Sequence, residues 1–232
     1  MTESTGPWGA ALDLMQEWDP QWAAACLKMS MNPWRSGVLS RPFVELVSAA
    51  VSASCTNLDA EASRRHIRAA LDAGATREQI VFVLKCATVV SLHSCSLSAP
   101  ILIDEARKAG LDPAAPERPA TPAVDGMRAA GQWNSAWDPF LELDPVWTEE
   151  MMTVGVGIYS HAPLSPKEIE LLSIALDASV SHMYEPGVRR HIRGALTAGA
   201  TPQEIMEVLK ICVALGVSAC NLGLSILRAE LT

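Results

Sequence analysis

The chain is 232 residues long, 49% hydrophobic and only 19% charged, enough apolar material to bury one substantial core or two small ones. Its formal net charge of -8 excludes general nucleic-acid binding, which needs a basic surface to displace counterions from phosphates. Three Phe and two Tyr among abundant Ala, Leu, Val and Met favour packed helices over sheets, so an all-α fold is expected.

At the start, "MTESTGPWGA" has no basic stretch ahead of an apolar run, and no uninterrupted apolar stretch reaches the roughly 20 residues that span a bilayer. A cytoplasmic protein with no membrane partner is therefore expected. Cys26, Cys55, Cys86, Cys95, Cys212 and Cys220 form no C-x-x-C, and in a reducing compartment they read as free, buried thiols.

The first elements recur 125 residues later without a gap. Asp19-Pro20-x-Trp22 returns as Asp144-Pro145-x-Trp147, Glu45-Leu46 as Glu170-Leu171, and "RRHIRAALDAGAT" (64–76) as "RRHIRGALTAGAT" (189–201). In the first copy Thr76-x-x-Gln79 opens a helix by capping, leading into the apolar "QIVFVLKCATVVSLHS". Next, "LDPAAPERPATPAVDGMRAAG" lacks helical apolar spacing and reads as a Pro/Ala-rich connector over 111–131. In the second copy Ser165-Pro166-Lys167-Glu168 is a capping box that starts a helix running towards Ser179. A second helix over 186–198 stops at Gly199, and Thr201-Pro202-Gln203-Glu204 opens a third, mostly apolar core helix. The organisation expected is a first repeat over 1–110, the connector over 111–131 and a second repeat over 132–232. Two copies are too few for a solenoid, so pseudo-twofold pairing of the halves is expected.

A Glu on one helix, then "RRHIRGAL…GAT", then a capped "EIMEVL" helix resembles the carboxymuconolactone decarboxylase and alkylhydroperoxidase D-like superfamily over nearly all of each half. The resemblance implies an all-α fold of tandem helical units. The peroxidase branch carries C-x-x-C ahead of the histidine, because a thiolate attacks the peroxide and a second thiol resolves the sulfenic acid. Here those places hold Asp59 and Ala62 in the first copy, and Tyr184 and Gly187 in the second. Cys55 lies nearby, but Val180 replaces it in the second copy. Peroxidase chemistry is thereby disfavoured. "RRHIRGAL" with "LGVSACN" (215–221) is similar to the decarboxylase branch, which implies a cofactor-free lyase or isomerase of aromatic catabolism. This chain departs from it in being duplicated and in its longer "SHMYEPGVRRH" loop. The alternative is an oligomeric or ligand-binding protein that kept the fold without catalysis.

The chemistry points to candidate residues. Loss of CO2 from a conjugated lactone leaves an electron pair that the lactone carbonyl can accept, so no cofactor is needed. The protein must bind carboxylate, stabilise an enolate and supply a proton. His191 suits proton transfer, Glu170 would fix its tautomer, and His182 lines the mouth; these three are the catalytic candidates. Arg189 and Arg193, four apart on a helix, and Tyr184 are the candidates for binding the carboxylate substrate. His66, Glu45 and Arg64 are the first-copy counterparts. Each has a structural reading as well: surface arginines, and a histidine paired with Glu45 or Glu170 for packing alone. The spacing His182-x2-Glu185-x5-His191 is not an established zinc pattern, so no metal site is expected. Trp22, Trp34, Trp133, Trp137 and Trp147 read as packing anchors. Single-unit relatives imply rings of units, so a homotrimer is expected.

Overall fold

A computed structural model describes residues 6–115 and 119–231. Among the described residues the secondary structure is helical throughout: α1 (Ala11–Trp18), α2 (Pro20–Ser30), α3 (Asn32–Arg35), α4 (Arg41–Ala53), α5 (Ala60–Asp72), α6 (Arg77–Val89), α7 (His93–Lys108), α8 (Pro122–Ala129), α9 (Asp138–Leu143), α10 (Pro145–Tyr159), α11 (Pro166–Ala178), α12 (Glu185–Thr197), α13 (Pro202–Ala214) and α14 (Ser218–Glu230). The capping reading is met at atomic level. The side chains of Thr76, Ser165 and Thr201 accept from the backbone of Gln79, Glu168 and Glu204, whose side chains reach back to the cap. Helix α12 ends two residues before Gly199, which takes the positive φ of +86° that a side chain would resist.

The chain forms two compact units that do not follow the repeat boundaries. One joins the residues up to Val90 with those from Pro163 onward; the other comprises 91–162. The first unit therefore contains helices of both copies. In the first unit α4 packs on α5 and α6, α11 packs on α12 and α13, and α4 also meets α11 and α13. The reason is written in α4 and α11. Every residue from Phe43 to Ser52 is buried, as is every residue from Leu171 to Asp177. A helix buried on all faces needs neighbours on all faces, and neither copy alone supplies them.

In the second unit, α7 packs on α9 and α8 on α10. Helix α8 lies within the 111–131 segment, whose sequence shows no helical apolar period. Pro122 takes the first helical position, the Glu149 carboxylate accepts from the Ala123 and Val124 amides at 2.7 and 3.1 Å, and Val124 is fully buried. A single buried valine with a capping carboxylate supplied by another helix leaves no apolar period to read. The helical runs 77–108 and 202–230 are long and apolar enough to cross a membrane by composition alone. Each is broken by a 3-10 turn, at Val90–Leu92 and Leu215–Val217, and α6 and α13 bury core residues in the first unit.

The two copies are also tied by charge. Glu207 on α13 is fully buried, accepts a hydrogen bond from the Ser36 hydroxyl after α3, and binds Lys210 Nζ at 2.8 Å. Lys210 Nζ also donates to Asn32 Oδ1 at 3.1 Å. The matching position in the first copy is Phe82. Truncating Glu207 to Ala opens a void and strips a buried charged acceptor from both partners, so a loss of roughly 3 kcal/mol is expected in urea-induced unfolding.

Candidate active site

Helices α11 and α12 lie against each other, and two glycines set how close their side chains come. Gly187, His191 and Gly194 share one face of α12, being four and three residues apart. Glu170 and Asp177 share one face of α11, seven residues apart. A Cβ on Gly194 would stand 2.6 Å from the Glu170 carboxyl carbon, and a Cβ on Gly187 would overlap the Asp177 carboxylate outright. The histidine sits between the two acids. His191 Nδ1 is 2.7 Å from Glu170 Oε2, and His191 Nε2 is 3.8 Å from Asp177 Oδ2.

Accessibility separates the three groups. The side chains of His191 and Glu170 keep 16% and 31% of their exposure, while that of Asp177 keeps 3%. Burial lifts the Asp177 carboxyl from an ordinary 3.8 to about 6, against the opposing pull of the His191 and Arg190 charges. On the other side of Asp177, His182 Nε2 lies 4.0 Å from Oδ1, and burial lowers the His182 pKa. Tyr184 tilts against the His182 ring with centroids 5.9 Å apart, and its backbone amide donates to the Asp177 carbonyl. The loop that carries them turns through Met183 at a φ of +52°, a conformation uncommon for a side-chain-bearing residue.

The first copy holds the same pair in a closed setting. His66 and Glu45 are both fully buried, with His66 Nδ1 2.7 Å from Glu45 Oε2. Glu45 Oε1 accepts from Trp34 Nε1 at 2.9 Å and from Arg41 at 2.6 Å, and the Trp34 ring stacks on His66 with centroids 6.0 Å apart. Trp34, Arg41 and His66 thus all hydrogen-bond this carboxylate, and Arg41 also balances its charge. The register places Ser52 where Asp177 stands, Ala62 where Gly187 stands and Ala69 where Gly194 stands. The first copy thus has neither the second carboxylate nor the glycine that makes room for it.

Of the residues expected from sequence, His191, Glu170, His182 and Tyr184 come together around Asp177, and His66 pairs with Glu45. The arginines fall elsewhere. Arg189 is exposed and binds Glu185 on its own helix at 2.5 Å, and Arg193 and Arg64 are exposed. The arginine whose charge reaches the cluster is Arg190, beside the expected Arg189. Sequence reasoning passed over Asp177 and Gly187. Their trace was an acid inside the apolar "LLSIALDAS" paired with a glycine ten residues later, across one loop, against Ser and Ala in the other copy. Trp34 and Arg41, read as an anchor and not at all, prove to be partners of Glu45. Among the thiols, Cys86 and Cys212 are buried as expected, but Cys55 is exposed.

The carboxymuconolactone decarboxylase family model matches residues 20–99 and again 145–229, one match per copy. The chain belongs to the carboxymuconolactone decarboxylase family. A crystal structure from Burkholderia xenovorans LB400, described as a "putative gamma-carboxymuconolactone decarboxylase subunit", is similar at 33% sequence identity and a TM-score of 0.86, over 97% of this chain and 91% of that one. No functionally curated relative matches the sequence. The Asp177 carboxylate fills the space that a side chain at position 187 would need.

The raised Asp177 pKa fixes a sign. The folded chain holds this proton more tightly than the unfolded chain, so folding is favoured as pH falls from about 6 towards 4 and penalised above 6. Asp177→Asn is expected to raise the melting temperature near pH 8, relieving at most about 3 kcal/mol, and to change it little near pH 4. Scanning calorimetry at the two pH values checks this.

Proposed function

We propose that the second copy is a cofactor-free acid-base site acting on a small carboxylated lactone or a related acid from aromatic breakdown, as a decarboxylase or isomerase. The observation that carries this reading is the placement of His191. Its Nδ1 is held by Glu170, which fixes the ring, while Nε2 faces the Asp177 carboxyl and the imidazole stays partly exposed. The fully buried histidine of the first copy has neither a second acid nor a pair of glycines beside it.

In the proposed reaction, Arg190 supplies positive charge for a substrate carboxylate. The carbon–carbon bond to one carboxylate breaks, CO2 leaves, and the electron pair moves into the conjugated lactone carbonyl as an enolate. His191, protonated, gives its Nε2 proton to carbon as the enolate collapses, and regains a proton from water by way of Asp177. Glu170 keeps the imidazolium oriented and balances its charge. An isomerisation uses the same groups, with a carbon-bound proton taken and returned in place of CO2 loss.

Assembly belongs to the same proposal. Helix α14 has no buried residue and exposes Leu222, Ile226 and Leu227, an apolar stripe that association would cover. A homotrimer is the form we infer, and light scattering should return three times the chain mass of 24.8 kDa.

The functional test incubates the protein with a panel of carboxymuconolactones and related lactone acids, following CO2 and products by mass spectrometry. Turnover is expected, with His191→Ala lowering kcat about 100-fold or more while the fold and assembly persist. Silence across the panel, or turnover indifferent to His191→Ala, overturns the reading and favours a non-catalytic ligand-binding role.

A further inference from the structure

Arg65 and Arg190 occupy matching places in the two copies, yet their surroundings differ. Arg190 is exposed, whereas Arg65 is partly buried against the N-terminal segment 6–9. Its Nη2 donates to the Pro7 carbonyl at 2.8 Å and its Nε to the Gly6 carbonyl at 3.4 Å. Nε and Nη2 form the planar fork with which arginine grips a carboxylate through two oxygens. Two backbone carbonyl oxygens stand on that fork as the two oxygens of a carboxylate would.

The segment is held from several sides. Asn221 on α14 accepts from the Gly9 amide at 2.9 Å and donates to the Pro7 carbonyl at 2.9 Å. Trp8 is fully buried beside Leu12 and Val217, with Nε1 donating to Ser30 Oγ at 2.8 Å. Gly6, at a φ of +58°, runs so close to the wall that a Cβ would stand 2.6 Å from Met31 Sδ and 3.2 Å from Trp34 Cδ2. Trp34 in turn covers His66. Beneath that cover, His66 Nε2 and Ser52 Oγ are buried without a hydrogen-bond partner among the described residues. Native structures leave few buried polar atoms unpaired, and those that remain point to a ligand or to water.

We propose that the first copy holds a second binding site, for a small carboxylic acid bearing a separate hydroxyl, and that segment 6–9 with Trp34 keeps it closed. On opening, the acid's carboxylate replaces the Gly6 and Pro7 carbonyls on the Arg65 fork, and its hydroxyl donates to His66 Nε2. No bond is made or broken, because the first copy lacks a counterpart of Asp177. The site stands whether or not the second copy is a lyase.

Diethyl pyrocarbonate acylates a neutral imidazole at its free nitrogen, and peptide mapping resolves each histidine of the full-length chain. In the unaltered chain His66 is expected to resist labelling. Asn221→Ala removes two of the segment's hydrogen bonds and is expected to speed His66 labelling about tenfold. Adding 3-hydroxybenzoate should restore protection, and Arg65→Gln in the same background should abolish that restoration. Trp8→Ala, which loosens the segment more severely, provides a second opening variant, with cooperative unfolding as the check that the fold persists. His66 remaining protected in both variants overturns the proposal, as does labelling that 3-hydroxybenzoate fails to slow. His191 is read in the same digest, so a response of the second copy is scored separately.

Discussion

The structure depends on one repeated contact, a carboxylate from a buried helix held 2.7 Å from a histidine on the helix packed against it. An ionised group inside a helical core is tolerated only when paired and hydrogen-bonded, so the pair dictates the relative register of α4 with α5 and of α11 with α12. Shifting either helix by one residue would turn the carboxylate away from its imidazole. The surrounding apolar residues fill space that this register has defined. In the first copy the pair is closed off with Trp34 and Arg41 as additional donors. In the second, Glu170 has the histidine as its side-chain partner and remains about a third exposed.

From that common frame the copies diverge by a small number of side chains. Exchanging Ser52 for Asp at 177 places an acid in the core, and exchanging Ala62 for Gly at 187 makes the room it requires. The two changes are meaningful only together, since the Cβ of an alanine would overlap the carboxylate. Burial of that carboxyl outweighs the pull of the His191 and Arg190 charges and raises its pKa towards neutrality, which costs stability in a folded chain above that pH. A core position that weakens the fold is tolerated where it serves a site, and this one lies beside the partly open histidine.

Much of this was legible in the sequence, and what escaped has identifiable physical causes. The capping boxes at Thr76, Ser165 and Thr201 and the stop at Gly199 are local, so they could be read from a few residues each. The Glu–His pairs were legible because the duplication displays them twice. Asp177 was not, because its meaning lies in a glycine on another helix, and a lone acid in an apolar run has no local marker. Helical spacing grouped Arg189 with Arg193 and left Arg190 aside; which arginine faces a site depends on where the partner helix lies. The N-terminal "GPWGAAL" was read only for targeting, although its carbonyls and Trp8 dock on residues far along the chain. Helix α8 escaped because its cap is the distant Glu149.

Duplication explains why such unequal copies persist in one molecule. The buried faces of α4 and α11 complete a shared core, so neither copy can be lost without exposing the other. Once the halves were joined in one chain, each position was free to change in one copy alone. The first copy gained burial: Trp34 over His66, carbonyls on the Arg65 fork, and Trp8 locked against Val217. The second kept exposure around its histidine and accepted a strained acid beside it. A stabilising half relaxes the demand on its partner, because the two contribute to a single cooperative core, and the penalty of a buried carboxyl at 177 is offset by packing the other copy provides. Asymmetry between the repeats is then the expected consequence of a shared core, and the pairing of Ser52 with Asp177 marks where it was used.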